Sequence, residues 1–269
     1  MINAPLVLKY GVSLKGPSPV PFMESIPANP QWFTIRLANG ANCPMVQNDR
    51  VNGPIRQGIQ RWQHSTIENV LLDGNAKGQT TGDCVGFDFA DFWGLEVKGC
   101  NVMYTKSHAM RVLSANAFKV RDTHGILGNF DGNNPFAGTN VWHLEDIVDS
   151  DLGDGCWLGG SPGSVVYVGK RESGVNNRTW LFKLRGGLAF NSTGAHGMEI
   201  DDCDDSLGIE VGGWRLDQNA GHGLLMKNSP NNRVWGNVGA LNGLADFRYE
   251  QSPGTVHSDS NYGAVEVVA

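Results

Sequence analysis

The sequence is short of positive charge: 21 Lys and Arg stand against 27 Asp and Glu, a formal net charge of -6. Phosphate backbones are bound by clustered basic residues, so this balance argues against a nucleic-acid partner. No apolar run approaches the roughly 18 residues of a membrane span. Cysteine is sparse and unpatterned. Cys43, Cys84, Cys100, Cys156 and Cys203 lie far apart with no CxxC, which gives no metal spacing, and their odd number excludes a fully paired intramolecular framework. They read as small buried hydrophobes. The opening MINAPLVLKYGVSLKG lacks the basic, apolar and small-residue order of a secretory signal. Long amphipathic helical patterns are missing as well.

Glycine, in contrast, is abundant. The 36 glycines exceed the usual share of about 7%, and with no Gly-X-Y period they exclude collagen. They point to many tight turns, where glycine reaches positive φ at little cost. At 269 residues, 40% apolar and 18% charged, the chain has the composition of one folded, elongated domain spanning residues 1–269.

Short runs with alternate apolar residues recur between Gly, Asn, Asp and Ser. One series reads GFDF at Gly86, AMRV at Ala109, GCWL at Gly155, TWLF at Thr179, GMEI at Gly197 and GLLM at Gly223, with ADFR near Ala245. A second reads GLEV at Gly94, AFKV at Ala117, SVVYV at Ser164, GLAF at Gly187, GIEV at Gly208 and RVWGNV at Arg233. The first series steps by 23, 46, 24, 18 and 26 residues, the 46 being taken as two turns. A strand-borne repeat of about 20–25 residues is the signature of a β-solenoid. The expected fold is all-β, a right-handed single-stranded parallel β-helix of roughly eleven turns, with strands about 4.8 Å apart. A Pro-rich loop excursion is expected at about residues 17–31.

Alternation places Phe87, Phe89, Met110, Val112, Cys156, Leu158, Trp180, Phe182, Met198, Ile200, Leu224 and Met226 inside. It turns Asp88, Arg111, Trp157, Leu181, Glu199, Leu225 and Asp246 outward in one column. No helix precedes the first strands to cover them, and bare strand edges invite association or a further domain.

GVSLKG, the IENVLLDGN turn and the later coils resemble the pectate-lyase-like right-handed β-helix superfamily, and within it phage tailspikes and tail-associated proteins. The resemblance implies a virion or extracellular protein, usually a homotrimer, that works on a bacterial surface polysaccharide beside other virion components. The polygalacturonase pattern of that superfamily is broken here. Gly153-Asp154-Gly155 holds a glycine where that branch has a second carboxylate, Gly221-His222-Gly223 lies three turns on, and no RIK follows.

Glycosidic cleavage needs two flanking carboxylates. The stretch GMEIDDCDDS offers Glu199, Asp201 and Asp202 as candidate catalytic acids, beside Asp204 and Asp205, and hard oxygen ligands there also suit a calcium ion. Asp at a coil corner equally bonds its own backbone. Glu145, Asp146, Asp149, Asp151 and Asp154 alternate with apolar residues, as a solvated strand face does. Arg111 suits a sugar carboxylate or an ion pair with Asp88, and Trp157 a sugar ring. Three functions stay open: a shaft that recognises, and as a depolymerase cleaves, a polysaccharide; a non-enzymatic adhesive or structural virion spacer; and a free polysaccharide lyase or hydrolase.

Overall fold

The computed structural model describes residues 1–23, 25–26, 31–49, 61–81, 83–128, 135–170, 179, 181–203 and 208–268. Among them the only helix is a single 3-10 turn, Ala76–Gly78; the remaining elements are short strands joined by parallel pairing. The chain is a parallel β-helix, as its repeat predicts. Each coil lays down three strands, which stack on their equivalents in neighbouring coils to make three faces.

The inward column of the first face runs Val46, Phe87, Met110, Trp142, Val166, Met198, Leu224, Phe247. That of the second face runs Leu14, Ile67, Val97, Val120, Leu152, Leu184, Val211, Val234. The third face stacks Ile35, Leu72, Val102, Gly125, Leu158, Ala189, Leu216, Gly239. Strand Phe87–Lys98 runs unbroken through the corner between the first two faces. Those faces therefore form one 18-stranded sheet, and the third is a separate 8-stranded one.

The side chains expected inside are buried, Trp180 alone falling outside the described residues. They form one continuous core along the shaft. Alternation in a pleated strand sends every second side chain to the same side, so an apolar ladder on each face meets the other two in the middle.

The glycine excess is explained at the corners. Between the second and third faces Asn69, Gly99, Asp122, Gly155, Gly186, Gly213 and Gly236 stack with φ between 47° and 71°. The amides of Asn69, Gly99, Asp122, Gly186 and Gly213 donate to the carbonyls of Lys98, Arg121, Asp154, Gly212 and Trp235 one coil on. Left-handed backbone turns the chain sharply while keeping that bond, and only Gly, Asn and Asp take it up readily. A second such column closes the first face at Asp91, Ser114, Asp146, Asp202, Asn228 and Gln251.

Buried asparagines close other gaps. Asn237, with no exposed surface, accepts from the Trp214 amide (2.9 Å) and donates to Val211 O (3.0 Å) and Asn261 Oδ1 (2.9 Å). Asn219 makes the same kind of contact with Asn242.

One run of the first sequence series and two of the second change face. Cys156–Gly159 and Gly187–Phe190 are third-face strands, and Val166–Gly169 belongs to the first face. The missing first-face strand is Trp142–Val148, paired with Met110–Asn116 on one side and Val166–Gly169 on the other. Strands of all three faces share one alternating signature, and connections of unequal length shift the phase.

Candidate functional site

The register fixes the outward column of the first face as Asp88, Arg111, His143, Tyr167, Glu199, Leu225, Arg248 and Glu266. Arg111 and Glu199 share it, as expected. Trp157 does not. Its strand pairs Trp157 with Leu188 on the third face, where the half-exposed ring packs on Phe22 at 4.7 Å. Phe22 belongs to the Pro-rich segment, whose Val20 amide donates to Gly99 O and whose Pro21 carbonyl accepts from Asn101. Arg248 takes the place expected for Asp246, and Leu181 lies outside the strands.

Arg111 is held by its own protein. Its guanidinium grips Asp88 with two bonds of 2.9 and 2.7 Å and reaches Asp83 at 3.1 Å. Burial opposes the positive charge, but the two aspartates outweigh it and raise the guanidinium's pKa. Asp88 has no exposed surface. The arginine is a clamp on a buried carboxylate, the ion-pair alternative weighed for it in the sequence.

One coil further the column changes character. The Asn140 amide nitrogen donates to Ser164 O at 3.0 Å, which turns its oxygen to His143 Nδ1 at 3.1 Å. His143 Nδ1 thus faces an acceptor, and its Nε2 lies 2.9 Å from Glu145 Oε1. The imidazole stacks on the Tyr167 ring, centroids 5.0 Å apart at 23°. Gly169 makes room for that ring: a Cβ there would collide with the phenol oxygen. Burial raises the Tyr167 pKa, and the carboxylates of Asp201, Glu145 and Glu199 raise it further, so the phenol keeps its proton. Ser164 Oγ donates to Glu199 Oε2 at 2.5 Å, and Asp201 pairs with Lys227 at 3.6 Å.

This arrangement can move a proton. A phenol lies among three carboxylates and beside an oriented imidazole on a partly exposed sheet face, which places proton donors and acceptors together for general acid–base work on a bound hydroxyl or carbon acid. Asp202 is set apart from the group. It occupies the left-handed corner position (φ 54°) and pairs with Lys170 at 3.7 Å, the backbone-turning role open to a corner aspartate. Asp204 and Asp205 fall outside the described residues. Among the described residues no three His, Cys, Asp or Glu side chains converge as metal ligands.

His143 and Tyr167 escaped the sequence reading, although VWHLE and VVYVG alternate as regularly as GFDF. Aligning those two runs with the first series would have found both.

Two neighbouring histidines make the face sensitive to acid. Burial, with His143 nearby, lowers the His108 pKa to about 3; burial, with His222 nearby, lowers that of His196 to about 4. Below the ordinary value of 6.5 the unfolded chain binds protons on these rings and the folded chain does not. Stability is thus full above that pH and falls as pH drops toward the folded values. The urea midpoint should fall between about pH 7 and pH 4.5, and fall less in a His108→Asn/His196→Asn variant. An equal drop in both proteins would show that these rings do not carry the effect.

No family model and no curated protein matches the chain. Among solved structures it is similar to the A-module of the Azotobacter vinelandii mannuronan C-5 epimerase AlgE6, at TM-score 0.50 and 12% identity, over 82% of this chain and 60% of that one. The AlgE4 A-module from the same organism aligns at TM-score 0.48 and 14% identity, over 98% of this chain and 81% of that one. The chain thus spans 60% of the length of the AlgE6 structure, and what is shared at this identity is the fold.

Proposed function

We propose that this protein is a saccharide-binding β-helix of the phage tailspike type, which meets a bacterial surface polysaccharide along its first face and modifies it there by proton transfer. The observation that carries the reading is the Tyr167 phenol, held protonated beside Glu145, Glu199 and Asp201 and stacked on an imidazole whose direction is set by Asn140. The fold shared with a module named for an activity on mannuronan supports a polysaccharide as the ligand. A place on the virion, as a homotrimer beside other tail components, belongs to the same proposal through the tailspike resemblance.

The roles follow from position. Tyr167 donates a proton to the sugar, and Glu199, oriented by Ser164, receives one. The adhesive or structural spacer remains the second reading. It is favoured by the number of outward charges already used in stacking, such as Asp88–Arg111, Asp201–Lys227 and Asp202–Lys170.

The test is incubation with host capsule or lipopolysaccharide, following binding by calorimetry and product by chromatography and proton NMR. The wild-type chain should bind and alter the glycan, and Glu199→Gln should bind within a few-fold of it while losing turnover by about 10²-fold or more. Binding without any change in the glycan would leave the spacer or adhesin. Absence of binding would reject the saccharide face.

A further inference from the structure

The second face carries a feature that the first-face chemistry does not use. Three hollows of about 430, 350 and 560 Å³ follow one another along the shaft, the first two sharing Glu96 and Lys119 and the last two sharing Asp151. Through these shared residues the three hollows adjoin one another along the second face, and together they are taken as a groove. Its floor is the outward column Glu96, Lys119, Asp151, Lys183, Glu210, Arg233, in which the sign of charge alternates from coil to coil.

The column is not simply self-neutralised. Glu96 is bound by Arg121 at 2.6 Å and Glu210 by Arg185 at 3.1 Å, both from the neighbouring column. Lys119, Lys183 and Arg233 have no acidic partner within 4.0 Å among the described residues. The groove therefore presents uncommitted cations on every second coil, about 10 Å apart, with the uncommitted carboxylate of Asp151 between the first two.

From this spacing we infer that the second-face groove is a binding channel, separate from the first-face cluster, for an extended glycan bearing one acidic group per disaccharide. One coil rises by about the length of one sugar in an extended chain, so alternate acids meet Lys119, Lys183 and Arg233 in turn. A glycan with an acid on every sugar sets one against Asp151, and like charges at that distance repel. A neutral glycan leaves the cations unanswered. The inference rests on the saccharide reading above and adds the charge pattern of the ligand.

Calorimetry with three octasaccharides tests it: one from hyaluronan (an acid on alternate sugars), an oligogalacturonate (an acid on every sugar) and a cello-oligosaccharide (neutral). The hyaluronan probe should bind at least about tenfold more tightly than the other two, and should lose about tenfold in a Lys119→Ala/Lys183→Ala variant and on raising salt. Both lysines are at the surface, and a matched melting curve establishes that the variant is folded. Equal or tighter binding of the oligogalacturonate or the neutral probe overturns the channel, as does unchanged binding in the double variant or no binding of the hyaluronan probe. If host polysaccharide still binds the double-lysine variant fully, the channel alone fails; if no saccharide binds the wild-type chain, both readings fail.

Discussion

Tyr167→Phe is expected to lower turnover of the bound polysaccharide by about 10²–10⁴-fold and to change its affinity by no more than a few-fold. The substitution removes one oxygen and leaves the ring, so the stack on His143 survives and Gly169 still accommodates it. What is lost is the proton that burial and the neighbouring carboxylates hold on the phenol. Loss of a transition-state proton appears in kcat, whereas loss of a packing contact appears first in affinity. The pH profile gives an independent check, because a carboxylate or imidazole acting alone leaves its limb in the variant unchanged. Turnover within a few-fold of wild type would remove Tyr167 from the chemistry and leave Glu145, His143 and Glu199 as the groups to test.

Arg111→Ala should cost about 3 kcal/mol of stability, toward the lower end of what breaking a buried ion pair costs because the arginine side chain keeps 19% of its surface. The penalty comes from the partner left behind: Asp88 is fully buried, and both of its oxygens face the guanidinium. Arg111→Lys should recover only part of it, since an ammonium cannot reproduce the two-pronged geometry. Asp88→Asn/Arg111→Met, which removes both charges, should lie closer to wild type than either single change. Urea melts of the four proteins decide this. A wild-type midpoint for Arg111→Ala would show that the clamp contributes nothing and return the arginine to the list of sugar-binding groups.

The fold was legible because the signal for it is repeated. Every coil writes the same alternation, and the left-handed corners favour Gly, Asn or Asp once in each coil, as at Gly99, Asp122 and Gly155. Phe87, Met110, Leu158 and Ile200 could thus be placed inside from alternation alone. Face assignment was harder. Trp157 and Glu199 each stand at the outward position of an alternating run, yet one strand belongs to the third face and the other to the first. Nothing local distinguishes them, because a strand's face depends on how many residues its connections consume. The cluster was missed for the same reason: His143 and Tyr167 come from coils whose phase the long connections displaced. Asp88 and Arg111, on adjacent coils joined by a short regular connection, were matched correctly.

The stacking of coils also dictates how the molecule can assemble itself from the unfolded chain. A strand such as Met198–Asp201 pairs only with Val166–Gly169 before it and Leu224–Lys227 after it, whatever its distance from either terminus. The loop that must close to form a new pair is therefore a few tens of residues at every point along the shaft, and its entropic cost is nearly the same at each step. Folding then advances like a zipper from whichever adjacent coils close first, with Phe87–Lys98 and its neighbours, the longest paired strands, as the natural nucleus. Unfolding takes the reverse path, so damage at one coil stalls the zipper there and leaves the two flanking stacks to melt as separate units.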